Sequence, residues 1–158
     1  MKFIYVTVIA FVVIACKKSE VDIVERFVRE VKAERYEEIK LPAFNASYID
    51  ALMQHASDKQ MVSNYPRPMY SSYYGGSMEV GLVMLYTIEA VRLQVDWPSS
   101  TVRVFDEQDI SREVALSEVL PYYKDWWAEN KGKSPAELKG ADPLEGSGLT
   151  WQIYTIAE

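Results

Sequence analysis

A single cysteine, a single histidine and a shortage of basic residues set the first limits on this 158-residue chain. One thiol cannot form an internal disulfide, which excludes a small disulfide-stapled scaffold. Cys16 and His55 are too few for a zinc site of the Cys/His kind. A His-based triad would have to use His55, and no G-x-S-x-G sequence accompanies it. His55 sits beside an apolar stripe and reads as a packed or half-exposed structural residue. There is no Walker-type phosphate loop, and Gly146-Ser147-Gly148 lacks the following helix that a phosphate cradle requires. Lys and Arg number 17 against 23 Asp and Glu, a net charge of −6. With no basic stripe, that balance argues against nucleic acid as a partner. The densest acidic loop, Asp106, Glu107 and Asp109, lacks the spacing and glycine of an EF-hand and reads as solvated surface before a helix N-terminus. No metal ion and no cofactor are expected.

Long hydrophobic runs are also missing, with one exception at the start. Residues 1–16 hold 14 of the 77 hydrophobic residues, and the remaining 142 residues contain 63, about 44%, ordinary for a globular domain. Lys2 followed by thirteen residues dominated by apolar side chains, Phe3 to Ala15, has signal-peptide anatomy. The run stops at Lys17 and Lys18, short of the roughly 20 residues a spanning helix needs. Val13-Ile14-Ala15-Cys16 resembles the bacterial lipobox, which implies cleavage before Cys16 and acylation of its sulfur and new amino group. Two acyl chains already give stable attachment, and a third makes release negligible. The expected organisation is a lipoprotein signal peptide over 1–15, a lipidated N-terminus and tether over 16–20, and a single α-helical domain over 21–158. The processed chain carries 16 Lys and Arg against 23 Asp and Glu, a charge of −7. Without a disulfide, its stability must come from packing; about 142 residues suffice for one core.

Apolar residues recur at helical spacing through Val24, Phe27, Val28, Val31, Tyr36 and Ile39, opposite a charged face, and Leu41-Pro42 ends or interrupts this first helix. Ser47 to Asp50 has capping-box spacing ahead of a second helix of about ten residues. Met78 to Gln94 is almost entirely apolar, the pattern of a helix surrounded by protein. Gly81 inside it implies close approach of a neighbouring helix. Glu89 and Arg92, three apart on this helix, are expected to satisfy one another or a nearby backbone group. Val102 to Phe105 alternates too briefly to define a sheet. Helical pattern returns after Asp109, and Pro121 either kinks that element or opens a new helix at its first turn. Ser134-Pro135-Ala136-Glu137 is a cap, a first-turn proline and an N3 glutamate, predicting a one-turn helix to about Lys139. The tail, Asp142 to Glu158, reads as irregular, with Ile153 and Tyr154 among the residues available to cover the core. The fold class this predicts is all-α: a four- to five-helix bundle, or a short α-solenoid-like (HEAT-like) domain, with irregular Pro/Tyr-rich loops.

Tyr65, Arg67, Tyr70, Tyr73 and Tyr74 are the candidate binding residues, on a segment stiffened by Pro66 and Pro68. Large amphipathic rings give contact area at modest entropic cost, although they can equally fold back over the third helix. Of Trp126 and Trp127, about 100° apart on a helix, one is expected in the core and the other partly exposed.

The blocks Tyr65-Pro66-Arg67-Pro68, Ser71-Ser72-Tyr73 and Gly81-Leu82 through Thr87-Ile88-Glu89-Ala90-Val91-Arg92 resemble the centre of a family of uncharacterised Bacteroidota lipoproteins. Tyr123-Lys124-Asp125-Trp126-Trp127, Asp142-Pro143-Leu144, Gly146-Ser147-Gly148 and Trp151 resemble its C-terminal part. The resemblance covers residues from about 45 to 151. It implies an α-helical, HEAT-like domain in the cell envelope and carries no activity or ligand. The functional expectation is a lipid-anchored, non-catalytic binding or scaffold domain, attached to the membrane through Cys16, with an envelope protein or glycan as partner. The alternative is a carboxylate-based envelope hydrolase acting on glycan, which needs only two acids at the right separation.

Overall fold

The computed structural model describes residues 20–38, 40–69 and 76–151. The leader, Cys16, Ile39, Tyr70, Tyr73, Tyr74, Ile153 and Tyr154 lie outside the described residues.

Residues 20–32 are helical, α1, and bury Val24, Phe27, Val28 and Val31 as the apolar spacing requires. The helix ends earlier than Leu41-Pro42. Glu34 takes a left-handed conformation at φ 55°. The Arg35 N–H reaches the Glu30 carbonyl and the Glu34 N–H the Val31 carbonyl, both at 3.0 Å, the paired bonds of a Schellman end. A side-chain-bearing residue is held there because Ser63 Oγ donates to the Glu34 carboxylate at 2.6 Å and Asn64 Nδ2 to its carbonyl at 3.0 Å. The Ser63 hydroxyl and amide together keep that carboxyl below its ordinary range.

Asn45, not Ser47, caps the next element: its Oδ1 accepts the Ser47 N–H at 2.9 Å ahead of the 3₁₀ turn Ala46–Tyr48. The helix that follows, α2 (Ile49–Gln54), is shorter than the ten residues expected. Strand β1 (Met61–Val62) then pairs antiparallel with β2 (Met78–Glu79). Helix α3 (Val80–Leu93) therefore begins two residues after the predicted Met78, and twelve of its fourteen residues are buried, which makes it the centre of the domain. The turn after α2 crosses its start, with Gly81 N–H donating to the Asp58 carbonyl at 2.8 Å and Val80 N–H to that of Gln60 at 2.9 Å. The close neighbours that Gly81 implied are the side chain of Leu116, which opens the helix Leu116–Asn130, and the backbone of Ala56 in this turn.

Strand β3 (Val104–Asp106) pairs antiparallel with β4 (Leu149–Trp151), Val104 opposite Trp151. Helix α4 (Leu116–Asn130) runs unbroken through Pro121, whose missing N–H cannot reach the Ser117 carbonyl. Pro121 thus does not open a new helix. The Ala115 N–H and the Arg112 guanidinium hold the Glu118 carboxyl at the start of α4 below its ordinary range. Helix α5 (Pro135–Gly140) has the predicted Ser134–Glu137 capping box, with Ser134 N–H donating to Glu137 at 2.8 Å. Of the two tryptophans on α4, Trp126 is buried and Trp127 half-buried, and their indoles bond the Ala141 carbonyl and the Asp50 carboxylate at 2.8 and 2.7 Å.

Helices α2, α4 and α5 all contact α3. Among the described residues the domain is mainly helical, and the all-α expectation is corrected by two two-stranded sheets. Strands of two or three residues, paired across 16 residues or more of chain, leave no local alternation to detect. Part of the tail read as irregular is β4.

Candidate functional site

A cleft of about 590 Å³ lies between the 38–46 segment, the C-terminal half of α3 and α5. That size lies within the range of small-ligand sites. Its floor is apolar: Ala90 and Leu138 are buried, and the Thr87 hydroxyl is spent on the Val83 carbonyl at 2.8 Å. Phe44 and Val91 line it half-buried, and Val95 at its edge is 44% exposed. Glu38, Lys40 and Asp96 supply charge at the rim.

The walls are built from local chemistry. Pro42 breaks regular structure, and Phe44 N–H returns to its carbonyl at 2.8 Å in a tight three-residue turn. Phe44 stacks edge-on against Phe27 of α1, 5.6 Å between centroids, and Phe27 against Tyr36 at 5.5 Å. The Tyr36 hydroxyl donates to the Lys40 carbonyl at 2.6 Å. Burial, with the Glu38 and Glu30 charges, pushes its pKa well above the ordinary tyrosine range, so it stays a donor. On the opposite wall α3 ends at Gln94 in a left-handed conformation, φ 59°, which turns Val95 and Asp96 onto the rim.

Behind the cleft, α3 carries a buried polar network. Arg92 Nε donates to Glu89 Oε2 at 3.0 Å, its Nη2 donates to Glu89 Oε1, and its Nη1 donates to the Lys139 carbonyl at 2.9 Å. The Tyr123 hydroxyl donates to Glu89 Oε2 at 2.9 Å and accepts the Trp151 indole N–H at 2.8 Å. One carboxylate thus joins α3, α4, α5 and β4. Burial opposes the charge of Arg92, but the Glu89 hydrogen bonds and charge outweigh it and raise the guanidinium further. Burial, then the Glu89 charge, drives the Tyr123 phenol well above its usual range. The expected mutual satisfaction of Glu89 and Arg92 is what the structure shows, and every group here is closed on protein partners, an arrangement that fixes the fold.

Tyr65 is 6% exposed and packs in the core, with the Arg67 guanidinium 5.6 Å above its ring. The other three candidate tyrosines lie outside the described residues, and neither Tyr65 nor Arg67 lines the cleft. His55 Nε2 lies 3.0 Å from Glu25 Oε1 on α1, a half-buried packing contact. Asp106 and Asp109 are occupied by the turn itself, accepting the Gln108 and Ser111 N–H groups at 2.9 and 3.1 Å. Among the described residues no group of three or more His, Cys, Asp or Glu is placed to hold a metal ion, and no helix is long and apolar enough to cross a membrane.

Residues 18–152 match a family described as a domain of unknown function, DUF4943. The chain belongs to this family. Neither the curated proteins nor the solved structures give a significant match. The DUF4943 span takes in the cleft, the buried network and the Tyr65–Arg67 pair, and Cys16 lies outside it. The cleft of this DUF4943 domain was missed in the sequence because its lining comes from three segments spread over about a hundred residues. The one local signal was the Leu41-Pro42 break.

Proposed function

We propose that this protein is a lipid-anchored binding domain of the bacterial cell envelope, holding a partner in the cleft between the 38–46 segment, α3 and α5. The anchor rests on one observation: the only cysteine follows Val13-Ile14-Ala15 at the end of an apolar leader, where acylation chemistry needs it. Cys16→Ser is expected to block processing and remove the acyl mass from the mature protein. If the variant is processed like the natural chain and still enters a detergent phase, the anchor is wrong.

The binding role rests on the cleft, whose apolar floor and charged rim suit an apolar group carrying charge or hydrogen-bonding groups. Val91→Trp places a large ring in the cleft from a half-exposed position. In pull-downs from the native envelope, a cleft partner is captured by the natural protein and lost with Val91→Trp. Identical recovery with both proteins rules the cleft out. One observation favours the hydrolase reading: Glu38 and Asp96 line the same cleft, and glycosidases use paired carboxylates. Turnover on a glycan array, abolished by Glu38→Gln or Asp96→Asn, would move the assignment from binding to catalysis.

A further inference from the structure

Several lysines and arginines on this acidic chain are neutralised by neighbours: Lys32 by Asp58, Arg92 by Glu89, Lys131 by Asp50, Arg103 by Glu113 and Arg112 by Glu118. Lys59 and Lys124 differ. Both are exposed, neither makes an ion pair among the described residues, and both line one groove of about 400 Å³ whose surface is mostly apolar. Leu120 and Pro121 form that surface over the buried Leu116, and Asp125 is the one carboxylate among its described lining residues. Met61, two residues on from Lys59, is 54% exposed. Apolar surface flanked by lysines is the composition that binds anionic lipid interfaces.

Chain length gives the groove a place to act. The inference rests on the anchor proposed above. Cys16 precedes Glu20, the first described residue of α1, by only four residues, at most about 14 Å of extended chain. An anchored domain on so short a tether must lay one face on the bilayer. Glu25, about 7.5 Å along α1 from Glu20, contacts His55, which holds the 55–59 turn beside the tethered half of that helix. Ser57 and Lys59 of this turn form one wall of the groove.

We infer that the Lys59–Lys124 groove is the face this domain sets against an anionic lipid surface, with the two ammonium groups on headgroup phosphates and Leu120 and Pro121 toward the acyl boundary. The processed protein in phosphatidylglycerol-containing vesicles tests this. With Cys16 acylated, a single introduced thiol takes a fluorophore uniquely, at Ser117→Cys beside the groove or at Lys139→Cys on α5. Nitroxide-labelled headgroups are expected to quench the Ser117→Cys label several-fold more than the Lys139→Cys label. Lys59→Glu with Lys124→Glu should cut the difference at least about fivefold, the value of one lysine near an anionic surface. In phosphatidylcholine vesicles the same pair of substitutions should have little effect. Equal quenching at both labels, or indifference to the charge reversal, overturns the groove and leaves the anchor standing. A protein that stays in the aqueous phase overturns both.

Discussion

Glu89→Ala is expected to lower the unfolding free energy by about 3 kcal/mol, the cost of taking the hydrogen-bonded carboxylate from a buried charge that keeps only the half-exposed Asp142 at 3.9 Å. The side chains of Glu89 and Arg92 are each 5% exposed, so little water can replace what is lost. Removing the carboxylate also strips the acceptor from the Tyr123 hydroxyl, whose burial opposes any answering charge. Arg92→Ala should cost a similar amount by stranding Glu89. The double variant should lose clearly less than the sum, because neither charge is then orphaned. Against the roughly 5–15 kcal/mol that holds an ordinary domain folded, either single change removes a large share of the stability. Urea denaturation followed by circular dichroism reads the effect. A loss below about 1 kcal/mol in both single variants would show that the network is not a closed buried unit.

Gly81→Ala sets two effects of opposite sign against each other. In an unconstrained helix interior alanine gains about 1 kcal/mol over glycine. Here an added Cβ would lie 2.5 Å from the Ala56 carbonyl oxygen and 2.5 Å from Leu116 Cδ2. Leu116 is buried, and the Ala56 carbonyl belongs to a turn that Gly81 itself ties down through the Asp58 carbonyl, so neither yields cheaply. Overpacking of this kind costs about 1–3 kcal/mol, and contact with backbone belongs at the upper end. The expected result is a net loss of about 2 kcal/mol, larger for Gly81→Val. A Gly81→Ala protein more stable than the parent in thermal and urea unfolding would mean that the turn does not cross α3 as described.

Features carried by short-range spacing were legible in the sequence. The stripe from Val24 to Val31, the all-round burial of α3, the i,i+3 pairing of Glu89 with Arg92 and the Ser134–Glu137 capping box each depend on residues within one or two turns of each other. What was misplaced depends on distant partners. Met78 and Glu79 look like the first turn of an apolar helix until Met61 and Val62 arrive to pair with them. Leu149 to Trp151 looks irregular without Val104 to Asp106 alongside. The end of α1 at Glu34 carries no glycine to announce it, because Ser63 and Asn64, about thirty residues on, hold the left-handed turn. The cleft belongs with these: its floor was read correctly as core helix, while the walls that make it concave come from elsewhere in the chain.

The pairing of β3 with β4 also sets an order of events. Trp151 meets Val104, Tyr86 and Tyr123, all at least 28 residues earlier in the chain. Loop closure over that distance costs entropy before any contact repays it. The α2, β1, β2 and α3 region is expected to assemble from shorter-range contacts first, with strand β4 closing over it afterwards. Contacts made by a late-arriving strand weigh on how fast the native state opens far more than on how fast it forms. Trp151 is therefore expected to act as a kinetic clasp, its replacement speeding unfolding more than it slows folding.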